Sequence, residues 1–191
     1  MKKTHLLFVL LLTSFYGFAQ EKQDASVAFD EKQNELKLNM TNVIIFKFLD
    51  ITYEKALNEE SGVGVSVLYN FSDDNDQGLD EYRKFSITPY YRHYFSKKYA
   101  EGFFVEGFTM LHTGEENNNI YILYDDSDPS LGGDYKDENY TDLAIGLSTG
   151  FKAVSKRGFV AEVYLGIGRD LLGNSDIEVV GRGGISLGYR F

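Results

Sequence analysis

The sequence predicts an all-β chain folded as an eight-stranded antiparallel up-and-down transmembrane β-barrel. Three observations predict it. Apolar residues alternate with polar or small ones over eight segments, the links between those segments alternate short and long, and the final segment ends on an aromatic residue, Phe191. The chain has 191 residues and a formal charge of −10, from 19 basic and 29 acidic side chains. That length bounds one domain, and that charge makes nucleic acid a poor partner. With no cysteine there is no disulfide, no thiol chemistry, no zinc-thiolate site and no lipid-modified N-terminal cysteine. The longest apolar run, Leu6 to Leu12, falls far short of the roughly 20 residues that a spanning helix needs.

Residues 1–19 read as a signal peptide. Lys2 and Lys3 supply the positive start, Leu6 to Leu12 the apolar stretch, and Gly17-Phe18-Ala19 the small residues before a cleavage site. Cleavage after Ala19 removes two lysines and no acids, taking the charge from −10 to −12. Residues 20–34 are polar and without a sustained period, and are expected to form a flexible extension on the periplasmic side. Residues 35–191 are assigned to the barrel.

The period along the barrel segment is two, and no apolar stripe of helical spacing runs through it. The predicted strands are 35–42, 50–57, 61–71, 84–95, 102–113, 141–153, 158–168 and 180–191. In the fourth, Phe85, Ile87, Pro89, Tyr91 and Phe95 share one face, against Lys84, Ser86, Thr88, Tyr90 and Arg92. In the sixth, Leu143, Ile145, Leu147 and Phe151 oppose Gly146, Ser148, Gly150 and Lys152. The last sets Ile185, Leu187, Tyr189 and Phe191 against Arg182, Gly184, Ser186, Gly188 and Arg190. The polar face is thus rich in glycine and serine. A solvent-facing strand surface carries longer side chains, whereas the narrow lumen of a membrane barrel needs small ones. Strands of about 9–13 residues also suit a tilted membrane crossing.

The links after the second, fourth and sixth strands are short, and those after the third, fifth and seventh are longer and polar, the alternation of an outer-membrane barrel with both termini on the periplasmic side. The link Val43 to Leu49 departs from this by being apolar, and reads equally as a strand extension, a membrane-dipping loop or a short helix. Phe95, Phe103, Phe151, Phe159, Tyr189 and Phe191 all fall on the apolar face at the periplasmic ends of their strands, where they are expected to form an aromatic girdle.

The run Val180-Gly-Arg-Gly-Gly-Ile-Ser-Leu-Gly-Tyr-Arg-Phe191 resembles the assembly signal of outer-membrane barrels. Further stretches are similar to an uncharacterised domain-of-unknown-function family of small Gram-negative outer-membrane barrels. They are Glu35-Leu-Lys-Leu-Asn39, Ile51-Thr-Tyr-Glu54, Ile87-Thr-Pro-Tyr-Tyr-Arg92, Gly102-Phe-Phe-Val-Glu-Gly107 and Gly158-Phe-Val-Ala-Glu162. In architecture alone the chain also resembles OmpA-type and OmpX-type barrels. The resemblance implies the barrel, an outer-membrane location, contact with outer-membrane lipid and lipopolysaccharide, and engagement of the barrel assembly machinery through Phe191. It transfers no activity and no catalytic residue. The barrel is expected to be monomeric.

The inward face predicts a lumen charge network of Lys37, Glu54, Arg92, Glu106, Lys152, Glu162, Arg182 and Arg190, with Asn39 among them. A hairpin centred on Tyr99 sets Arg92 opposite Glu106 and Phe95 opposite Phe103. An eight-stranded barrel is wide enough only to be filled by side chains, so these charges are expected to form a hydrogen-bonded plug. The expected function is therefore a structural, surface-interacting barrel with a plugged lumen. The alternatives are a narrow pore gated by those charges and, further off, a lipid A modifying enzyme.

The outer links carry Asp73, Asp74, Asp76, Asp80 and Glu81, then Glu115, Glu116, Asp125, Asp126, Asp128, Asp134, Asp137 and Glu138. Asp73-Asp-Asn-Asp-Gln-Gly78 partly matches a calcium loop, but Lys84 stands at its twelfth position, which excludes an EF-hand. Weak divalent-ion binding that bridges to lipopolysaccharide phosphates is the most these acids imply, and no resident metal or cofactor is expected. Catalysis would need a nucleophile with a base or a His with an orienting acid. His93 falls on the lipid-facing side. His112 falls on the lumen side of the outer end, without the His-x-Ser spacing of outer-membrane lipid A deacylases. No enzymatic role is expected.

Overall fold

Alternation over 6–18 residues closes on itself: β1 (Asn34–Asn39), β2 (Phe48–Ala56), β3 (Ser61–Asn70), β4 (Arg83–Tyr94), β5 (Gly102–Asn117), β6 (Asp137–Val154), β7 (Phe159–Asp170) and β8 (Val179–Arg190) form one closed barrel in sequence order. Every neighbouring pair is antiparallel, including β1 with β8. The computed structural model describes residues 32–71, 83–96, 98–117, 137–173 and 178–191. The expected signal peptide, most of the expected extension and the acidic stretches 73–81 and 125–134 lie outside the described residues.

Burial follows the two-residue period and is inverted relative to a water-soluble barrel. Along β2 the pattern is strictly buried and exposed in turn, with Asp50, Thr52 and Glu54 inside and Leu49, Ile51 and Tyr53 outside. On β7, Glu162 and Tyr164 point inward while Val163, Leu165 and Ile167 are exposed. The interior therefore holds charges, hydroxyls and aromatic rings, and large apolar side chains from every strand are exposed on the outer wall.

The glycines of the inward face make room for rings. A Cβ at Gly150 would come within 2.7 Å of Phe104 Cζ, and one at Gly146 would meet Phe108. Phe104 packs with Tyr94, Tyr164, Ala56 and Ala100 near the end that carries the short links, and Phe108 with Tyr90, Met110, Ala144 and Val180 above them. The short links brace one another at that end. The Glu60 carbonyl accepts from Tyr94 N at 2.7 Å, and the Glu59 carbonyl accepts from Ala100 N at 2.8 Å.

Three details depart from the sequence expectation. First, β1 ends at Asn39 instead of 42, because the Asn39 side-chain oxygen accepts from Asn42 N at 3.2 Å and turns the chain into a single π turn, Asn42–Phe46. Lys47 (φ 56°) closes that turn in the left-handed region, so the apolar link is a short helix. Second, a bulge between Arg83 and Phe85 shifts the register of β4 against β5. It exposes Lys84, expected inside, and Arg83 reaches the lumen in its place. Third, β5 and β6 continue pairing past the expected ends as far as Asn117↔Asp137. Glu115, Glu116, Asp137 and Glu138 therefore belong to a ladder where a loop was expected; their run of acidic residues carries no apolar period from which pairing could be read.

Candidate functional site

The barrel converges on its lumen. Glu54 of β2 is the hub: Oε2 accepts from Lys37 Nζ at 2.7 Å, Tyr90 OH at 2.9 Å and Arg92 Nη1 at 3.0 Å. Its Oε1 accepts from Tyr94 OH at 2.5 Å and Lys152 Nζ at 2.8 Å. Lys37 also donates to Glu162 at 2.7 Å. Arg92 spans the bore: Nη1 and Nη2 donate to the two oxygens of Glu162 at 2.7 and 3.1 Å, while Nε and Nη2 donate to Glu106 Oε2 at 3.1 and 2.7 Å. The guanidinium lies 3.7 Å from the centre of the Phe104 ring, so its flat face is covered as well.

The network extends to both ends. Towards the end that holds the π turn, Arg182 Nη1 donates to Glu106 Oε1 at 2.9 Å, and its guanidinium sits among Tyr90, Phe108 and Tyr164. Towards the other end, where the short links lie, Lys152 donates to Glu35 at 3.0 Å and Arg190 Nε donates to Glu35 at 2.8 Å. Arg190 also donates to the backbone carbonyls of Tyr99 at 3.0 Å and Ala100 at 2.8 Å, which ties β8 to the β4–β5 link.

All eight residues expected in the lumen network are thus within it, and Arg92 and Glu106 are register partners on the β4–β5 hairpin. Glu35, absent from the expected set, is also inside, as parity with Lys37 and Asn39 would place it. Tyr90 and Tyr94 were also missed, because a tyrosine on an inward face reads as filler until a carboxylate is placed beside its hydroxyl. Asn39 bridges to Asp50 at 3.0 Å and to Tyr164 OH at 3.2 Å.

Burying an isolated charge costs far more than a protein's net stability, and this interior is affordable only because each cation meets carboxylates and each carboxylate meets several donors. Glu106→Ala removes the carboxylate that Arg182 and Arg92 share, while Arg92 keeps Glu54 and Glu162. A loss of about 1.5–3 kcal/mol is expected. Urea unfolding of wild type and variant, compared at their midpoints, checks it.

The six expected girdle residues, Phe95, Phe103, Phe151, Phe159, Tyr189 and Phe191, are all exposed on the outer wall. Phe95 and Phe103 lie 5.9 Å apart, Phe103 is the register partner of Phe151, and Phe159 meets Tyr189 edge-on at 5.6 Å. At the opposite end, His112 is buried, with Nε2 2.9 Å from Asp170 Oδ1 and its ring edge-on to Tyr140 at 5.6 Å. Among the described residues no group of three or more His, Asp or Glu side chains could hold a metal ion.

Against known proteins, residues 6–178 match the model of a family described as a protein of unknown function (DUF3575). No curated protein and no solved structure matches the chain.

Proposed function

The chain belongs to the DUF3575 family, whose function is unassigned, and from that starting point we propose that it is a non-conducting outer-membrane barrel, a structural and surface-interacting protein and not an enzyme. The observation that carries this reading is the cross-lumen charge network. Lys37, Arg92, Lys152, Arg182 and Arg190 are interleaved with Glu35, Glu54, Glu106 and Glu162, so that opposite walls of an eight-stranded bore are joined by ion pairs. An ion entering would have to break several charge-assisted hydrogen bonds at once. The apolar outer wall, with Leu147, Leu165 and Ile167 each at least 65% exposed, supports residence in lipid, since a water-soluble barrel of this size would put such residues inside. The exposed aromatic residues at one end support an interfacial girdle there.

The test is planar-bilayer recording of refolded protein whose folding is first established by heat-modifiable gel migration. A folded barrel without unitary currents is the expected result. Stable currents that change in Arg92 or Glu106 variants would replace this reading with a gated pore. Fractionation with the outer membrane is expected in cells, and recovery in the soluble periplasmic fraction would refute the membrane location.

A further inference from the structure

Pro89 stands inside β4, with a neighbouring strand on each side. The β3–β4 ladder runs through Val65↔Pro89 without a gap. The β4–β5 ladder passes from Ile87↔Leu111 to Tyr90↔Phe108 at constant register and leaves out Thr88↔Met110 and Pro89↔Thr109. A proline has no N–H to give, so the gap falls on the side to which that N–H would point. The group left without its ladder donor is the Thr109 carbonyl.

Two hydroxyls share this part of the wall. Tyr91 and Thr109 are both exposed on the outer face, and among the described residues neither hydroxyl meets a hydrogen-bond partner. Thr149, on the same wall, instead donates from Oγ1 to the Phe104 carbonyl at 3.0 Å. Gly107 lies between its register partners Tyr91 and Leu147, and a Cβ added to it would meet nothing within 4 Å. With Pro89 it forms the floor of a groove of about 790 Å³, whose lining includes Tyr91, Thr109 and Leu147 and no charged side chain. Along strands tilted by roughly 40°, Thr109 stands about 15 Å from the level of Phe103, deep within an apolar band about 25 Å tall.

We propose that this groove on the outer wall binds an acyl chain of a surrounding lipid that carries a hydroxyl near its middle, the hydroxyl donating to the Thr109 carbonyl and accepting from the Tyr91 hydroxyl. A hydroxyl both donates and accepts, which matches a carbonyl and a phenol in one uncharged groove. Depth narrows the class further. No water at that level satisfies the carbonyl, and an alcohol held at the headgroups does not reach it. The inference rests on the membrane reading above, because in water the carbonyl would be hydrated.

Native mass spectrometry of the full barrel folded in maltoside detergent tests it with three neutral, chain-matched probes: methyl 12-hydroxystearate, methyl 12-oxostearate and methyl stearate. Retention of the hydroxy ester is expected to exceed that of the other two by about tenfold, since the ketone accepts but cannot donate. Pro89→Val returns an N–H to the Thr109 carbonyl and is expected to erase the preference, and Tyr91→Phe to reduce it. Gly107→Leu has open space for its side chain, so it is expected to fold and, by filling the groove, to weaken retention of the hydroxy ester. Equal retention of the three esters, an unchanged preference in Pro89→Val or Tyr91→Phe, or unchanged retention in Gly107→Leu would overturn the proposal. Heat-modifiable migration and protease protection in vesicles report the membrane barrel separately: a barrel that folds in lipid but does not distinguish the esters refutes only this inference, and one that never enters lipid refutes the membrane reading.

Discussion

Replacing Glu54 with alanine is expected to lower the stability of the folded barrel by about 3–5 kcal/mol, the usual cost of breaking a buried ion-pair network by removing one partner. Glu54 accepts from five side chains, three of them cationic: Lys37, Arg92 and Lys152. After the substitution Lys37 keeps Glu162, Arg92 keeps Glu162 and Glu106, and Lys152 keeps Glu35. The two tyrosine hydroxyls lose an acceptor and the cations lose the charge they share, so the penalty exceeds that of Glu106→Ala. A Glu54→Gln variant keeps the shape and removes the charge, and is expected to fall between alanine and wild type. The temperature at which gel migration changes and the urea midpoint should rank the three alike. A Glu54→Ala barrel as stable as wild type would mean that these ion pairs carry no net stabilisation.

The second large effect is expected at Arg92. Arg92→Leu leaves Glu54, Glu106 and Glu162 facing one another with one fewer cation, again at about 3–5 kcal/mol. The informative measurement is the cycle with Glu106→Gln. If the two side chains act through each other, the double variant loses less than the sum of the singles, with a coupling of about 0.5–3 kcal/mol. Strict additivity would show that the 2.7 Å contact between Arg92 Nη2 and Glu106 is not an energetic unit.

What the sequence made legible was local. Parity along a strand assigns a side chain to the lumen or the wall without knowledge of any other strand, which is why Lys37, Arg92, Lys152 and Glu162 could be named. The count about Tyr99 sets Arg92 against Glu106 because a hairpin's turn fixes its register. The partners of Glu54 were not legible in the same way. Lys152 is 98 residues away along the chain, and Lys37 and Glu162 are separated by 125. Such contacts depend on stagger around the whole ring, which no single hairpin encodes. Lys84 was misplaced because one extra residue in β4 reverses every parity beyond it, and nothing in its type marks the bulge. The π turn was ambiguous because an apolar stretch as short as Val43 to Leu49 has no period of its own.

Arg190 bears on how a ring of strands registers its own completion. Its charge is satisfied by Glu35, which belongs to the strand at the other side of the closing seam, and by the carbonyls of Tyr99 and Ala100, which belong to the hairpin halfway round. A curled sheet whose first and last strands have not met leaves Glu35 and Arg190 apart, each needing water, and water holds that seam open. Only when β8 docks on β1 with Glu35 opposite Arg190 do both charges lose their need for solvent. A docking displaced by one residue would turn Arg190 onto the apolar wall. The pair therefore works as a proofreading contact, one that penalises an unfinished or misregistered circle and lets the correct one dehydrate.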